Sequence, residues 1–226
     1  MKKLIIAVLL LLVISQLLLP GYFSNQLENK LKSQFEASQY FEAEVNSFPA
    51  LLMLTGYFQS VNLKGEGLKV DGLQVDKLKA EFVDLKLSPG IKDRKWKLTT
   101  GENKILHLTF TEEDLEKYLI EQMDSISDLT LNLGPEQTVL SGVVKFLGNE
   151  IEVKLAGQFQ LQDKQKLTFK PEDLMIENLM IHREIVQRLM KEVDFSLDLT
   201  QFPIPLQVNE VKVNRNNLLI SGGIED

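Results

Sequence analysis

Few residues in this chain are of types that do chemistry, and those few are poorly placed for it. There are two histidines. His107 lies between Leu106 and Leu108 in an alternating segment, which turns it to the polar side. His182 opens an amphipathic stretch. Neither has a partner at ligand spacing, and His-Glu-x-x-His is absent. The chain has no cysteine, which excludes disulfides, thiol nucleophiles, cysteine-held metals and lipoprotein acylation. Ser141-Gly142 lacks the flanks of a nucleophile elbow, and Gly65-Glu66-Gly67 lacks the third glycine and the following helix of a dinucleotide site. Carboxylates cluster at Glu112-Glu113-Asp114 and at Glu172-Asp173, both at helix or turn starts, where capping accounts for them. Asp71 and Asp76 read as turn residues or, as the alternative, a weak cation site. No catalytic residue, metal site or cofactor is nominated. An enzyme acting on lipid or glycan stays open only as a reading without residues.

The charge balance narrows the partners. Lys and Arg number 25 against 32 Asp and Glu, a net charge of −7. Nucleic-acid binding needs cations that displace counterions from phosphates, so an acidic chain argues against that partner. With 44% hydrophobic and 25% charged residues among 226, the composition is that of an ordinary folded protein.

The average conceals one concentrated segment. Leu4 to Leu19 carries no charge, and only Ser15 and Gln16 are polar. Lys2 and Lys3 precede it and Pro20-Gly21 follows. This is the pattern of a signal anchor or a signal peptide. No Ala-x-Ala-like site follows Ile14, which favours the uncleaved form. Sixteen residues span about 24 Å as a helix, somewhat short of a hydrocarbon core of about 30 Å. Tyr22 and Phe23 extend the segment as interfacial aromatics. The lysine pair should remain cytoplasmic, placing the rest on the extracytoplasmic side of the cell membrane. The expected division is an anchor or signal over residues 1–20 and one domain over 21–226. Residues 1–20 hold two Lys and no acid, which takes the −7 of the whole chain to −9 for the remainder.

The elements of that remainder read as α+β. Phe23, Leu27, Leu31 and Phe35 recur every four residues, predicting a helix over Tyr22–Val45 ended by Phe48-Pro49. Ala50–Thr55 is a helical turn or two closed by Gly56. From Gln59 the period becomes two through Val61, Leu63, Leu68, Val70, Leu73, Val75, Leu78, Ala80 and Phe82. Thr111 followed by Glu112-Glu113-Asp114 predicts a helix start, with Leu115, Tyr118, Leu119 and Met123 on one face. Ser127–Phe169 reads as a meander of strands, His182–Val193 as a second short helix, and Val208–Ile220 as a final strand pair. Strands and helices do not alternate, which argues against a parallel doubly wound sheet. Lys92–Lys97 is the most basic stretch and holds the only Trp, Trp96. It is a solvated hairpin tip or, as the functional alternative, a headgroup contact through Arg94, Lys95, Trp96 and Lys97.

Several ordered pieces resemble a known family. They are Phe48-Pro49-Ala50-Leu51-Leu52 with Thr55-Gly56-Tyr57-Phe58, then Leu68–Leu85 with its Val70-Asp71-Gly72-Leu73 core, Leu108–Leu119, Leu167–Leu174, Phe195–Leu206 and Leu219–Gly222. Their order and spacing resemble the LmeA-like family of bacterial phospholipid-binding envelope proteins. That family is similar to tubular lipid-binding proteins, and the likeness implies a curved antiparallel sheet wrapped around a long helix, with two short helices, after the N-terminal anchor. It implies a phospholipid partner, membrane attachment through the N-terminal helix, and no catalysis. Holding acyl chains requires apolar faces, so the expected lipid-binding residues are Phe82, Leu115, Leu119, Phe159, Ile185 and Leu189. The function expected is lipid transport or envelope maintenance. An anchored structural or interaction module of the envelope without a lipid ligand is the alternative.

Overall fold

The computed structural model describes residues 2–89, 96–100, 103–123, 126–146, 149–176, 195–204 and 206–223. The expected helix over His182–Val193 lies outside them. The fold is α+β, with an N-terminal helix and two antiparallel sheets, one of them curled into a half-barrel.

Helix α1 spans Lys2–Lys32 without interruption, about 46 Å at 1.5 Å per residue. Pro20 lies inside it and does not end it. Proline removes the hydrogen bond to the Gln16 carbonyl and crowds it, yet the apolar flanks continue the helix past it. The helix predicted over Tyr22–Val45 is correct for its first half alone. Phe23, Leu27 and Leu31 pack against the core as that spacing requires, but α1 ends at Lys32 and Tyr40–Asn46 is strand β1. Phe41, Ala43 and Val45 are buried while Glu42, Glu44 and Asn46 are exposed. The helix-favouring Glu and Ala of this segment are overridden by pairing with β2 and burial of every second side chain.

The first sheet runs β1-β2-β3-β5-β12-β11, with β4 (Trp96–Thr100) on β3. β2 is Tyr57–Val70, β3 Leu73–Pro89, β5 Asn103–Thr111, β11 Gln207–Asn214 and β12 Asn217–Gly223. The long β2–β3 ladder keeps one register from Tyr57↔Lys86 to Val70↔Leu73. Its buried face nevertheless switches twice. On β2 the buried set passes from Phe58 to Val61 and Leu63, then to Leu68 and Val70; on β3 it passes from Leu85 to Phe82, Ala80 and Leu78, then to Val75 and Leu73. The switches fall opposite one another, where Gly67 (φ 58°) and Asp84 (φ 56°) adopt left-handed backbone. A long pair of strands coils through such irregularities while keeping its apolar residues inside.

The second sheet is the predicted meander, β10-β9-β8-β7-β6, formed by β6 (Ile126–Asn132), β7 (Thr138–Phe146), β8 (Asn149–Asp163), β9 (Lys166–Ile176) and β10 (Ser196–Asp198). Between the sheets lies α2, Glu112–Gln122, with Leu115 and Leu119 fully buried. The long helix is not enclosed by a sheet. It docks against β1 and the 3-10 turn Ala50–Thr55, and α2 is the helix that packs one face between the sheets.

The acidic cluster at the start of α2 is structural. The Thr111 hydroxyl accepts the Asp114 N–H at 3.1 Å and donates to the Asp114 carboxylate at 2.6 Å. Glu112 accepts the Leu133 N–H at 2.6 Å and Glu116 the Leu131 N–H at 2.8 Å. The helix therefore satisfies the outer backbone of edge strand β6 and ties the second sheet to the first. Only Glu113 faces water, paired with Lys117. Replacing Thr111 with Ala should lower unfolding free energy by about 1 kcal/mol, with a range of about 0.5–2. Replacing Lys117 with Ala should change it by less than about 1 kcal/mol, because that pair is exposed. Denaturant midpoints of the two variants measure the contrast.

Candidate functional site

Two regions carry the features a site needs: the apolar interior between the sheets, and the end of the molecule where α1 docks.

The interior is one continuous cluster of buried side chains from both sheets and α2. Four of the six residues expected to hold lipid belong to it. Phe82 comes from β3, Leu115 and Leu119 from α2, and Phe159 from β8. All four are closed to solvent, packed against other side chains. Ile185 and Leu189 lie outside the described residues. Phe159 belongs to an aromatic string that crosses the interior edge to face: Tyr118 to Phe195 at 6.0 Å, Phe195 to Phe159 at 6.3 Å, and Phe159 to Phe169 at 5.6 Å. A second group joins Phe35, Phe41 and Phe202 at 5.4 and 6.0 Å. Phe195 was not singled out from sequence beyond its place in Phe195–Leu206, although Phe195, Leu197 and Leu199 alternate and are buried.

Polar groups in this interior are few and mostly partnered. Asp114 is held by Thr111, and Thr168 donates to Gln162 at 3.1 Å. Thr138 Oγ1 is the buried side-chain oxygen without a partner among the described residues. Tyr118 stands half-buried at the interior's edge. Burial, then the carboxylates of Asp71 and Asp198, push its phenol pKa up, so it stays neutral. No group of His, Asp and Glu that could hold a metal occurs among the described residues. His107 meets Ser221 at 2.9 Å on the polar side of the first sheet, as its alternation predicts.

The second region begins with the apolar half of α1. Side chains from Leu4 to Leu11, with Val13, Ile14, Leu17 and Leu18, are largely exposed; Leu17 is 75% and Leu18 65% exposed. The stretch has a mean hydropathy of 2.7, and α1 is the one described helix long and apolar enough to cross a membrane. The two polar residues within it are both satisfied. Ser15 donates to the Leu12 carbonyl of its own helix at 2.8 Å. Gln16 reaches the body, donating to the Ser47 carbonyl at 3.1 Å and accepting the Ala50 N–H at 2.9 Å. Two turns on, Ser24 accepts the Val45 N–H at 2.9 Å, and Phe23 meets Phe58 edge to face at 5.7 Å. The clamp was missed from sequence, although an amide within an apolar run was its signal.

The described end of the basic stretch, Trp96 and Lys97, lies at the same end. Trp96 and Lys97 pair with Pro89 and Ser88, beyond the Tyr57↔Lys86 rung that follows the 3-10 turn. Arg94 and Lys95 fall outside the described residues. Tyr57 donates to the Asp84 carboxylate here, which pushes the Tyr57 pKa up.

A family model described as LmeA-like phospholipid-binding matches residues 14–223. No curated protein and no solved structure matches the chain.

The clamp yields a direct expectation. Gln16→Leu keeps α1 apolar but removes both hydrogen bonds to the body. Amide exchange at Ala50, a fully buried residue, should accelerate by about fivefold or more, the equivalent of one hydrogen bond of about 1 kcal/mol. Exchange in α2 should be unchanged.

Proposed function

The chain belongs to the LmeA-like phospholipid-binding family, and we propose that it is an exported, membrane-anchored protein that holds phospholipid acyl chains in its apolar interior, for lipid transport or envelope maintenance. In this reading residues 1–20 anchor the chain and residues 21–226 form one lipid-binding domain on the extracytoplasmic side.

The observation that carries the proposal is the continuity of apolar surface from α1 into the interior. The exposed face of Leu4–Leu18 passes into Leu19, Phe23, Leu27 and Leu31, and these pack against the cluster that contains Phe82, Leu115, Leu119 and Phe159. Gln16 does not interrupt the path, because its amide is occupied by backbone of the body. An acyl chain leaving a bilayer along α1 would meet no unsatisfied polar group on that side chain.

Affinity would come from burial. Each methylene taken from water is worth about 0.8 kcal/mol, so ten contribute about 8 kcal/mol before any cost. The interior side chains already touch one another, so lipid entry must part contacts such as Tyr118–Phe195 and return part of that gain. Headgroup selection falls to the basic strand end, with Arg94, Lys95, Trp96 and Lys97 as the phosphate and interfacial contacts. No residue is assigned a catalytic role.

Packing of Phe82, Leu115 and Leu119 favours one rival, an anchored interaction module that holds no lipid. Native mass spectrometry of the full chain, washed with detergent until annular lipid is gone, separates the two. A fixed number of retained phospholipids per chain is expected. Retention should persist in 1 M salt, because apolar burial is not screened by ions, whereas a surface charge contact is. A chain that retains no phospholipid is the rival's result.

A further inference from the structure

Two apolar side chains lie exposed beside the clamp. Phe48 is 78% and Leu54 64% exposed. Phe48 precedes the 3-10 turn Ala50–Thr55 and Leu54 lies within it; Ala50 and Met53 of the turn are buried, so one face is fixed to the body while Phe48 and Leu54 stay exposed. The segment is pinned to α1 as well, since Gln16 bonds Ser47 and Ala50, the residues on either side of Phe48-Pro49.

We propose that Phe48 and Leu54 insert into the bilayer that holds α1, making the Phe48–Thr55 segment a second membrane contact that fixes how the body sits on the surface. The argument is one of level. Leu17 and Leu18 follow Gln16 on the helix and are exposed. A bilayer that covers them must reach the height of Gln16, and therefore of the turn Gln16 holds. Tyr22, an exposed aromatic on α1, is about 9 Å beyond Gln16 and suits the interface above. Leu4–Leu19 spans about 24 Å, less than a hydrocarbon core of about 30 Å. Two apolar side chains at the rim fit the boundary between acyl chains and headgroups. The rung at which Trp96 pairs lies at this end of the first sheet as well. The partner is the lipid surface itself.

This inference rests on α1 being retained in the bilayer, and the experiment separates the two. The chain has no cysteine, so single-cysteine variants of the full chain can be labelled uniquely with an environment-sensitive dye. Leu10→Cys reports the anchor, F48C and L54C the turn. E121C is the control on α2, next to Gly72 in the β2–β3 turn, at the opposite end of a 14-residue strand. Each is reconstituted in phosphatidylcholine–phosphatidylglycerol vesicles with brominated acyl chains. Leu10, Phe48 and Leu54 labels should be quenched and Glu121 should not. Bromines near the headgroup should quench Phe48 and Leu54 more than bromines near the chain ends. If Leu10 is quenched while Phe48 and Leu54 behave like Glu121, the second contact is refuted and the anchor stands. If Leu10 is not quenched, the anchor fails and the proposal with it. Self-quenching between Phe48 labels without lipid quenching would identify a second copy as the partner and also overturn it.

Discussion

An amide placed within an apolar membrane-length helix must find hydrogen-bond partners or impose a desolvation cost of several kcal/mol. Gln16 finds them in the backbone of Ser47 and Ala50. Much of the architecture follows from that pairing. It sets the height at which the body meets α1 and orients the second half of the helix toward Phe58 and β1. It also lets the apolar surface of α1 run on into the interior. Without it, α1 would still dock through Ser24, Phe23, Leu27 and Leu31, but its apolar half would lose its polar tie to the body.

The interior depends on a second set of tied polar groups. Three carboxylates of α2 are tied inward: Asp114 accepts the hydroxyl of its cap Thr111, and Glu116 and Glu112 accept the backbone N–H groups of Leu131 in β6 and of Leu133 just past it. With those satisfied, the helix presents Leu115 and Leu119 between the sheets. The result is a packed apolar interior bounded by two separate sheets. Its aromatic string, from Tyr118 through Phe195 and Phe159 to Phe169, makes edge-to-face contacts at several angles.

Local signals were legible in the sequence, and long-range ones were not. The Thr111 cap, the Gly56 closure and the meander from Ser127 to Phe169 each rest on neighbours in the chain, and each stands in the structure as read. The strand residues Val61 to Phe82 were identified as buried, but the phase changes at Gly67 and Asp84 looked like breaks between short strands. They are turns of one coiled ladder, visible only when both strands switch together. Strand β1 was missed because Glu and Ala favour helix and its pairing partner lies about twenty residues on. Phe82, Leu115, Leu119 and Phe159 were selected by face and do share one cluster. Periodicity cannot separate a side chain that lines a lipid from one that packs a core, because both need an apolar face turned inward.

That distinction decides the account. A phospholipid carrying a photoreactive diazirine in its acyl chain, irradiated with the full chain in vesicles, would mark the residues that touch it. Adducts mapped to peptides of α2, β8 and the Phe195 segment, in addition to α1, are the result predicted. Adducts confined to Leu4–Leu18 would show a lipid-bathed anchor on a body whose interior holds only its own side chains, and would contradict it.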